Sequence, residues 1–408
     1  MRTPEPTVEL AVVGAGPAGA CLALLCARAR PDWRIAIVDP QPSVPDNGPY
    51  HPSFDARATA LSAGSVQLFE QLGLWQDLTT HSTAISAVHV SDRGYLPGQL
   101  LDASATGMAT QGYVVPNTWL GRVLLRALNA QPNIQLHQAQ ATGFQPLAGA
   151  GLLSLDNHLA PLTAQLTALA DGANSPLRQA LGITSDDNPY YQSAIIANVR
   201  VAKPHQGVAY ERFTDTGPLA LLPLGQSPQA REMAMVWTLP THRAEAIQQA
   251  PEPEFLTRLQ QHFGHRLGRF EAVSERHCYP LVLRQAREQV RSNLVLVGNA
   301  AHFLHPVAGQ GFNLALRDCA TLSHTISQSG TPGSLALLQH YLRQRAQDQA
   351  ITTRAGDAMV RLFSSKALPA VTLRHLGLLS LELVPALRSA FGKQMMGLNR
   401  APLEAHNG

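Results

Sequence analysis

Charge is the first thing this chain is short of. Aspartate, glutamate, lysine and arginine make up 14% of its 408 residues, against roughly one quarter in an ordinary soluble domain. More of the surface must therefore be neutral or apolar, which suits a greasy substrate. What charge there is nearly balances, 31 basic against 28 acidic with a net of +3, and no run of lysine or arginine traces a path for a phosphate backbone. No nucleic-acid partner is expected. Cysteine is scarce too: Cys21, Cys26, Cys278 and Cys319 show no Cys-x-x-Cys spacing and read as packing residues in a reducing compartment. No stretch approaches twenty uninterrupted apolar residues, so no membrane span is predicted. Met1-Arg2-Thr3-Pro4-Glu5-Pro6 carries no signal-peptide pattern, and a cytoplasmic location is expected. Internal repeats and low-complexity tracts are missing as well. The length leaves room for two or three domains.

What the chain does have is glycine in three widely separated segments: Gly14-Ala15-Gly16-Pro17-Ala18-Gly19, Asp171-Gly172, and Gly298-Asn299-Ala300-Ala301-His302 running on to Gly309-Gln310-Gly311-Phe312-Asn313. The first follows the apolar run Val8 to Val13 and precedes the helical-looking Ala20 to Leu25, the strand, turn and helix that a dinucleotide fingerprint requires. Gly14 permits the tight turn, Gly16 lets the backbone approach a pyrophosphate, and Gly19 lets helix and strand pack closely. The helix N-terminus offers free N–H groups to the phosphates. A second strand, Arg34 to Val38, ends at Asp39, about twenty residues beyond the last glycine, where a carboxylate accepts hydrogen bonds from ribose hydroxyls. An acid there disfavours a 2′-phosphate, which argues against NADPH as the resident nucleotide.

For the three segments to hold one dinucleotide they must converge, so the sequence between them loops out into a discontinuous second domain. Its best strands are 193–201, 219–224 and 233–238, separated by turn-forming residues and expected to form an antiparallel sheet. Residues 83–90 add an earlier strand, 254–263 form an amphipathic helix, and 294–297 return as a strand. His302 and His305 have a spacing that invites a metal, but no usable acidic or cysteine partners accompany them, and no metal is expected. The apolar stretch 376–387 reads either as a helix packed on the body or as a peripheral membrane-docking surface.

These residues resemble the aromatic-hydroxylase group of FAD-dependent monooxygenases, which share the para-hydroxybenzoate hydroxylase fold, over nearly the whole chain up to about residue 345. Within that group Phe54 to Leu61, Ile195 to Val199, Glu211-Arg212-Phe213 to Ala220, and His305 to Leu314 are similar to the ubiquinone-biosynthesis hydroxylases. The nearest branch converts 2-octaprenyl-6-methoxyphenol to 2-octaprenyl-6-methoxy-1,4-benzoquinol. The resemblance implies an α/β fold: a Rossmann-like FAD-binding domain (1–80, 113–185 and 280–340), an antiparallel-sheet substrate domain (81–112 and 186–279) and a C-terminal helical segment (341–408).

It also implies roles. FAD is the cofactor, reduced by NADPH or NADH without a second dinucleotide fingerprint, and O2 is the oxidant. Gly14, Gly16 and Gly19 cradle the pyrophosphate, Asp39 holds the adenosine ribose, and Asp171 and Gly172 lie on the far side of the pyrophosphate. Arg57 lies near the flavin or forms a surface ion pair, and Asn117 reaches the cofactor or serves as a helix N-cap. Pro306, Gly309, Gly311, Phe312 and Asn313 close over the flavin, with backbone amides near 312 and 313 aimed at its pyrimidine edge. The family aspartate after Gly298 is here Asn299, which still hydrogen-bonds a ribityl hydroxyl but without charge assistance. Phe213, Leu222 and Trp237 line the substrate pocket or belong to the core. The substrate is a polyprenylated phenol, and partners among other ubiquinone-biosynthesis proteins are plausible because such a phenol is nearly insoluble. Two other readings stand beside this one: a different flavoenzyme on the same fold, such as a sister ring hydroxylase or a polyprenyl reductase, and a flavin-binding scaffold subunit of the pathway's complex.

Overall fold

A computed structural model of the chain describes residues 7–42, 53–55, 57–93, 98–102, 110–156, 159–304 and 309–364. Pro306 and the apolar stretch 376–387 lie outside the described residues. Among those residues the strands form sheets of eight, nine and three members.

The eight-stranded sheet is built on Val8–Val13, which pairs in parallel with Ile35–Asp39 on one side and Leu162–Leu169 on the other. Ile134–Gln138 and Leu294–Leu296 extend it, again in parallel. Helices cover such a sheet on its faces, so its strands read as continuous apolar runs rather than alternating ones, and Ile35–Asp39 is buried at every position. The helix Pro17–Ala29 packs its Leu22 and Cys26 into one core with Leu316 and Leu322 of the helix Gln310–Ser327. Gly14, Ala170-Asp171 and Val297-Gly298 each follow the last residue of a neighbouring parallel strand. This is how segments distant in sequence reach one place: they share the carboxyl edge of the sheet, where open α/β sheets bind their ligands.

In the nine-stranded sheet Ser185–Val201 runs antiparallel to Glu232–Pro240, followed by Gly217–Leu224 and Val208–Thr214. The expected strands thus lie side by side in antiparallel order. The expected strand 83–90 is instead divided. Ser86 donates its backbone N–H to Gly207 O, and there the chain passes from Thr83–Ile85 in the three-stranded sheet to Ala87–Asp92, which pairs in parallel with Val208–Thr214. His277–Ala286 pairs with Ser185–Val201, so the expected boundary at residue 280 falls inside a strand. One face of this sheet is covered by the helices Thr241–Gln249 and Glu252–Phe263, with Phe255, Leu259 and Phe263 in a core with Met233, Met235 and Trp237. The helix expected from 341 begins at Leu335 and runs to Ser364.

Candidate active site

At the first glycine turn, Gly14 has φ of +104°, and a Cβ there would sit 2.6 Å from Ala170 O. Only glycine satisfies both constraints. A Cβ on Gly19 would lie 2.0 Å from Gly14 O, so Gly19 sets the approach of helix to turn rather than lining the space beyond it. The helix Pro17–Ala29 has no side-chain cap, leaving its first N–H groups for a ligand. Asp39 is engaged at both oxygens: Ala15 N–H donates to Oδ2 at 2.7 Å and Gln41 N–H to Oδ1 at 2.8 Å. Asp39 faces the cavity described below.

On the next strand end, Ser175 Oγ donates to Asp171 Oδ2 at 2.7 Å, while Oδ1 is buried without a hydrogen-bond partner. Burial pushes this carboxyl up. Arg178 donates to Ala300 O and Ala173 O, at 2.9 and 3.0 Å, tying the Asp171 loop to the 298–300 turn. Asn299 is exposed on that turn. A Cβ on Gly172 or Gly311 would meet nothing within 4 Å, so open space lies over both.

Asn117 is no N-cap: Pro116 holds that position, and Asn117 accepts a 2.6 Å hydrogen bond from Thr59 Oγ1. Arg57 pairs with Asp55 at 2.7 Å and lies over the Tyr279 ring at 5.3 Å. Asn313 has no side-chain capacity to spare for a cofactor. Its Oδ1 accepts from Ser62 N–H and Ser65 Oγ, and its Nδ2 donates to Ala60 O and Gly309 O. It pins the start of Gln310–Ser327, a helix that has no side-chain cap among the described residues.

Gly14, Gly16, Asp39, Arg57, Asn117, Asp171, Gly172, Asn299, Gly309, Gly311, Phe312 and Asn313 all line one cavity of about 770 Å³. Its opposite wall is the nine-stranded sheet, including Phe213 and Leu222. Trp237 is not on that wall. Successive strand residues face opposite sides, and Trp237 is fully buried on the far side, 5.6 Å from the Phe255 ring, while Val236 faces the cavity. Two polar residues given no site role from the sequence also line it: Tyr279, whose ring lies under Arg57, and Glu211, noted there only as part of a family-like stretch. Glu211 Oε1 is buried without a hydrogen-bond partner, and burial alone pushes the carboxyl up to about 7. Its signal in the sequence is faint, one acid in a strand next to an arginine.

The residues present fit a dinucleotide: a turn that a Cβ would fill, two uncapped helix starts, an orphan carboxylate oxygen on Asp171, and open space above two glycines. Comparison with known proteins agrees. The family model described as FAD binding domain matches residues 7–355. The ubiquinone hydroxylase UbiL of Rhodospirillum rubrum is 32% identical over 96% of this chain and 90% of its own length. The 3-demethoxyubiquinol 3-hydroxylase of Escherichia coli is 30% identical over 97% of this chain and 100% of its own. Among solved structures, p-nitrophenol 4-monooxygenase PnpA of Pseudomonas putida DLL-E4 superposes with a TM-score of 0.77 at 17% identity, covering 98% of this chain and 100% of that one, a likeness of fold. With the family match spanning all three glycine segments and both walls of the cavity, the chain belongs to the FAD binding domain family and is an FAD-dependent enzyme of the monooxygenase type.

Proposed function

We propose that this chain hydroxylates the ring of a polyprenylated phenol in ubiquinone biosynthesis, taking 2-octaprenyl-6-methoxyphenol to 2-octaprenyl-6-methoxy-1,4-benzoquinol with NADPH or NADH as reductant and O2 as oxidant. The observation that carries this reading is the continuity of the cavity: the glycine cradle opens directly onto an apolar sheet wall. The names of the Rhodospirillum and Escherichia relatives, both hydroxylases of ubiquinone or its precursors, support the pathway. FAD, when bound, supplies the oxygen activation. The protein's own residues bind and orient. Gly14, Gly16 and the amides of Pro17–Ala29 hold the pyrophosphate, and Asp39 the adenosine ribose. Asp171 and Gly172 close the far side, Asn299 takes a ribityl hydroxyl, and Arg57 and Asn117 flank the flavin. The amides at the start of Gln310–Ser327 stabilise negative charge on its ring. Phe213 and Leu222 keep water from the reacting ring.

Partners and location follow from the substrate. An octaprenyl chain favours handover from neighbouring enzymes of the pathway or from a membrane surface by peripheral contact. Among the described residues no helix is long and apolar enough to cross a membrane.

The test is mass spectrometry of the product formed by purified protein with FAD, NADPH, ¹⁸O2 and a short-chain 2-polyprenyl-6-methoxyphenol. Incorporation of one labelled oxygen para to the phenolic hydroxyl is the expected result. Labelled product hydroxylated elsewhere points to a sister ring hydroxylase, reduction of the prenyl double bonds without oxygen uptake to a reductase, and absence of flavin reduction to a scaffold.

A further inference from the structure

On the strand Val208–Thr214 Ala209, Glu211 and Phe213 line the cavity, and Tyr210, which also touches it, packs its ring into the core behind the sheet. The register across the sheet places Glu211 beside Val90 on one neighbour and Ala220 on the other, with Val236 and Ile196 continuing the same row. All four of these apolar residues line the cavity as well. One carboxylate therefore stands among four apolar cavity-lining residues of its rung, with Oε1 buried and unpartnered. An acceptor left unmade in such a place is costly, and a polar side chain held there without a protein donor fits a donor that arrives with the ligand.

Resting on the ring-hydroxylase reading, we propose that Glu211 is the general base that takes the proton from the phenolic hydroxyl of the substrate. The phenol O–H is the one strong donor on a ring otherwise bearing methoxy and isoprenoid groups, and the surrounding rung suits the latter. In the step the phenolic O–H bond breaks, a bond forms between that proton and a Glu211 carboxylate oxygen, and the electron pair stays on the phenolate oxygen. Delocalised into the ring, that pair enriches the carbon to be hydroxylated. The proton returns to the same oxygen once the product ring has lost its own proton to solvent, so Glu211 ends the cycle as it began.

The acid strength suits the task, because a base works best with a pKa near the operating pH and burial places Glu211 at about 7. Ionisable groups on the elements around it include His89 and Asp92 on the adjacent strand, Tyr210 and Arg212 on its own, Asp39, Arg57, Asp171 and Tyr279 elsewhere on the cavity, and Arg343, Arg345, Asp348, Arg354 and Asp357 on the helix Leu335–Ser364. None of them enters the shift, which is due to burial alone.

The experiment compares wild type with Glu211→Gln, each purified with its FAD content measured, on a series of 2-prenyl-6-methoxyphenols whose ring substituents span acidic to weakly acidic hydroxyls. For wild type, kcat/KM for hydroxylation rises with pH through an apparent pKa near 7. For E211Q with full FAD content that limb disappears, and hydroxylation of the weakly acidic phenols falls by about 100-fold or more, the reducing equivalents emerging as hydrogen peroxide. Phenols already ionised at the assay pH recover most of the loss. Overturning results are an E211Q enzyme that keeps the wild-type pH limb, or one whose loss is the same for every phenol in the series. A wild-type protein that hydroxylates none of these phenols sinks the underlying reading and this assignment together, which separates that failure from one confined to E211Q.

Discussion

On the proposed reading, the choice between an amide and a carboxylate at position 299 sets how strongly a ribityl hydroxyl is held. Hydrogen bonds to charged groups are worth about 1 kcal/mol more than neutral ones, so Asn299→Asp is expected to tighten FAD binding about five-fold, read by flavin fluorescence titration. An unchanged dissociation constant would remove Asn299 from the cofactor site. Other residues show where single-letter reading stops. Asn313 was legible as important from its place after two glycines, but its side chain spends every donor and acceptor on Ala60, Ser62, Ser65 and Gly309. Ala60, Ser62 and Ser65 lie some 250 positions away in the chain, and no local pattern announces them. Glu211 was hidden for a similar reason: beside Arg212 it resembles an ordinary solvated strand pair, and its isolation comes from neighbours on other strands.

Between elements, the helices Gln310–Ser327 and Leu335–Ser364 are joined by a buried ionic network. Asp318 accepts from His302 Nε2 at 2.7 Å and from Arg345 Nε at 2.5 Å, and Asp348 pairs with both Arg345 and Arg317. Burial would raise the Asp318 carboxyl, but the hydrogen bonds and charges of His302 and Arg345 outweigh it and hold the carboxyl below its usual range. Removing one partner strands a buried charge, so Arg345→Met is expected to cost about 3–5 kcal/mol in denaturant unfolding at neutral pH. Because the folded pKa is depressed, this stabilisation is present above the unfolded carboxylate pKa of about 4 and fades as pH falls through the folded value. The deficit of the variant should therefore shrink in acid, and a deficit independent of pH would count against the charge as its cause. In sequence the tail looked like a separate segment from 341; its helix begins at Leu335, and the network docks it on the helix Gln310–Ser327.

At the scale of the molecule, two sheets of different construction share one cavity, and a ligand filling it bridges them. Since FAD binds the folded chain and not the unfolded one, FAD at a hundred times its dissociation constant should stabilise the protein by about 2.7 kcal/mol. Thermal unfolding followed against FAD concentration measures this, and a midpoint indifferent to FAD would contradict the assignment of the glycine cradle.

By itself the sequence determined the dinucleotide end of this protein and the kind of sheet opposite it. A turn that admits no Cβ, a strand before it, a helix after it and an acid at the next strand end are local demands, met by residues close together in the chain, and they can be read one segment at a time. The alternation and turn spacing of 193–238 are local in the same sense. Tertiary structure alone decided which side of that sheet faces the cavity. Alternation says that Val236 and Trp237 point apart, but the direction is set by the helices Thr241–Gln249 and Glu252–Phe263, which cover one face and leave Phe213, Leu222 and Glu211 to wall the cavity. The same packing carried the chain from one sheet to another at Ser86 and the strand past residue 280, because pairing partners are chosen by the whole assembled sheet and not by the strand that joins it.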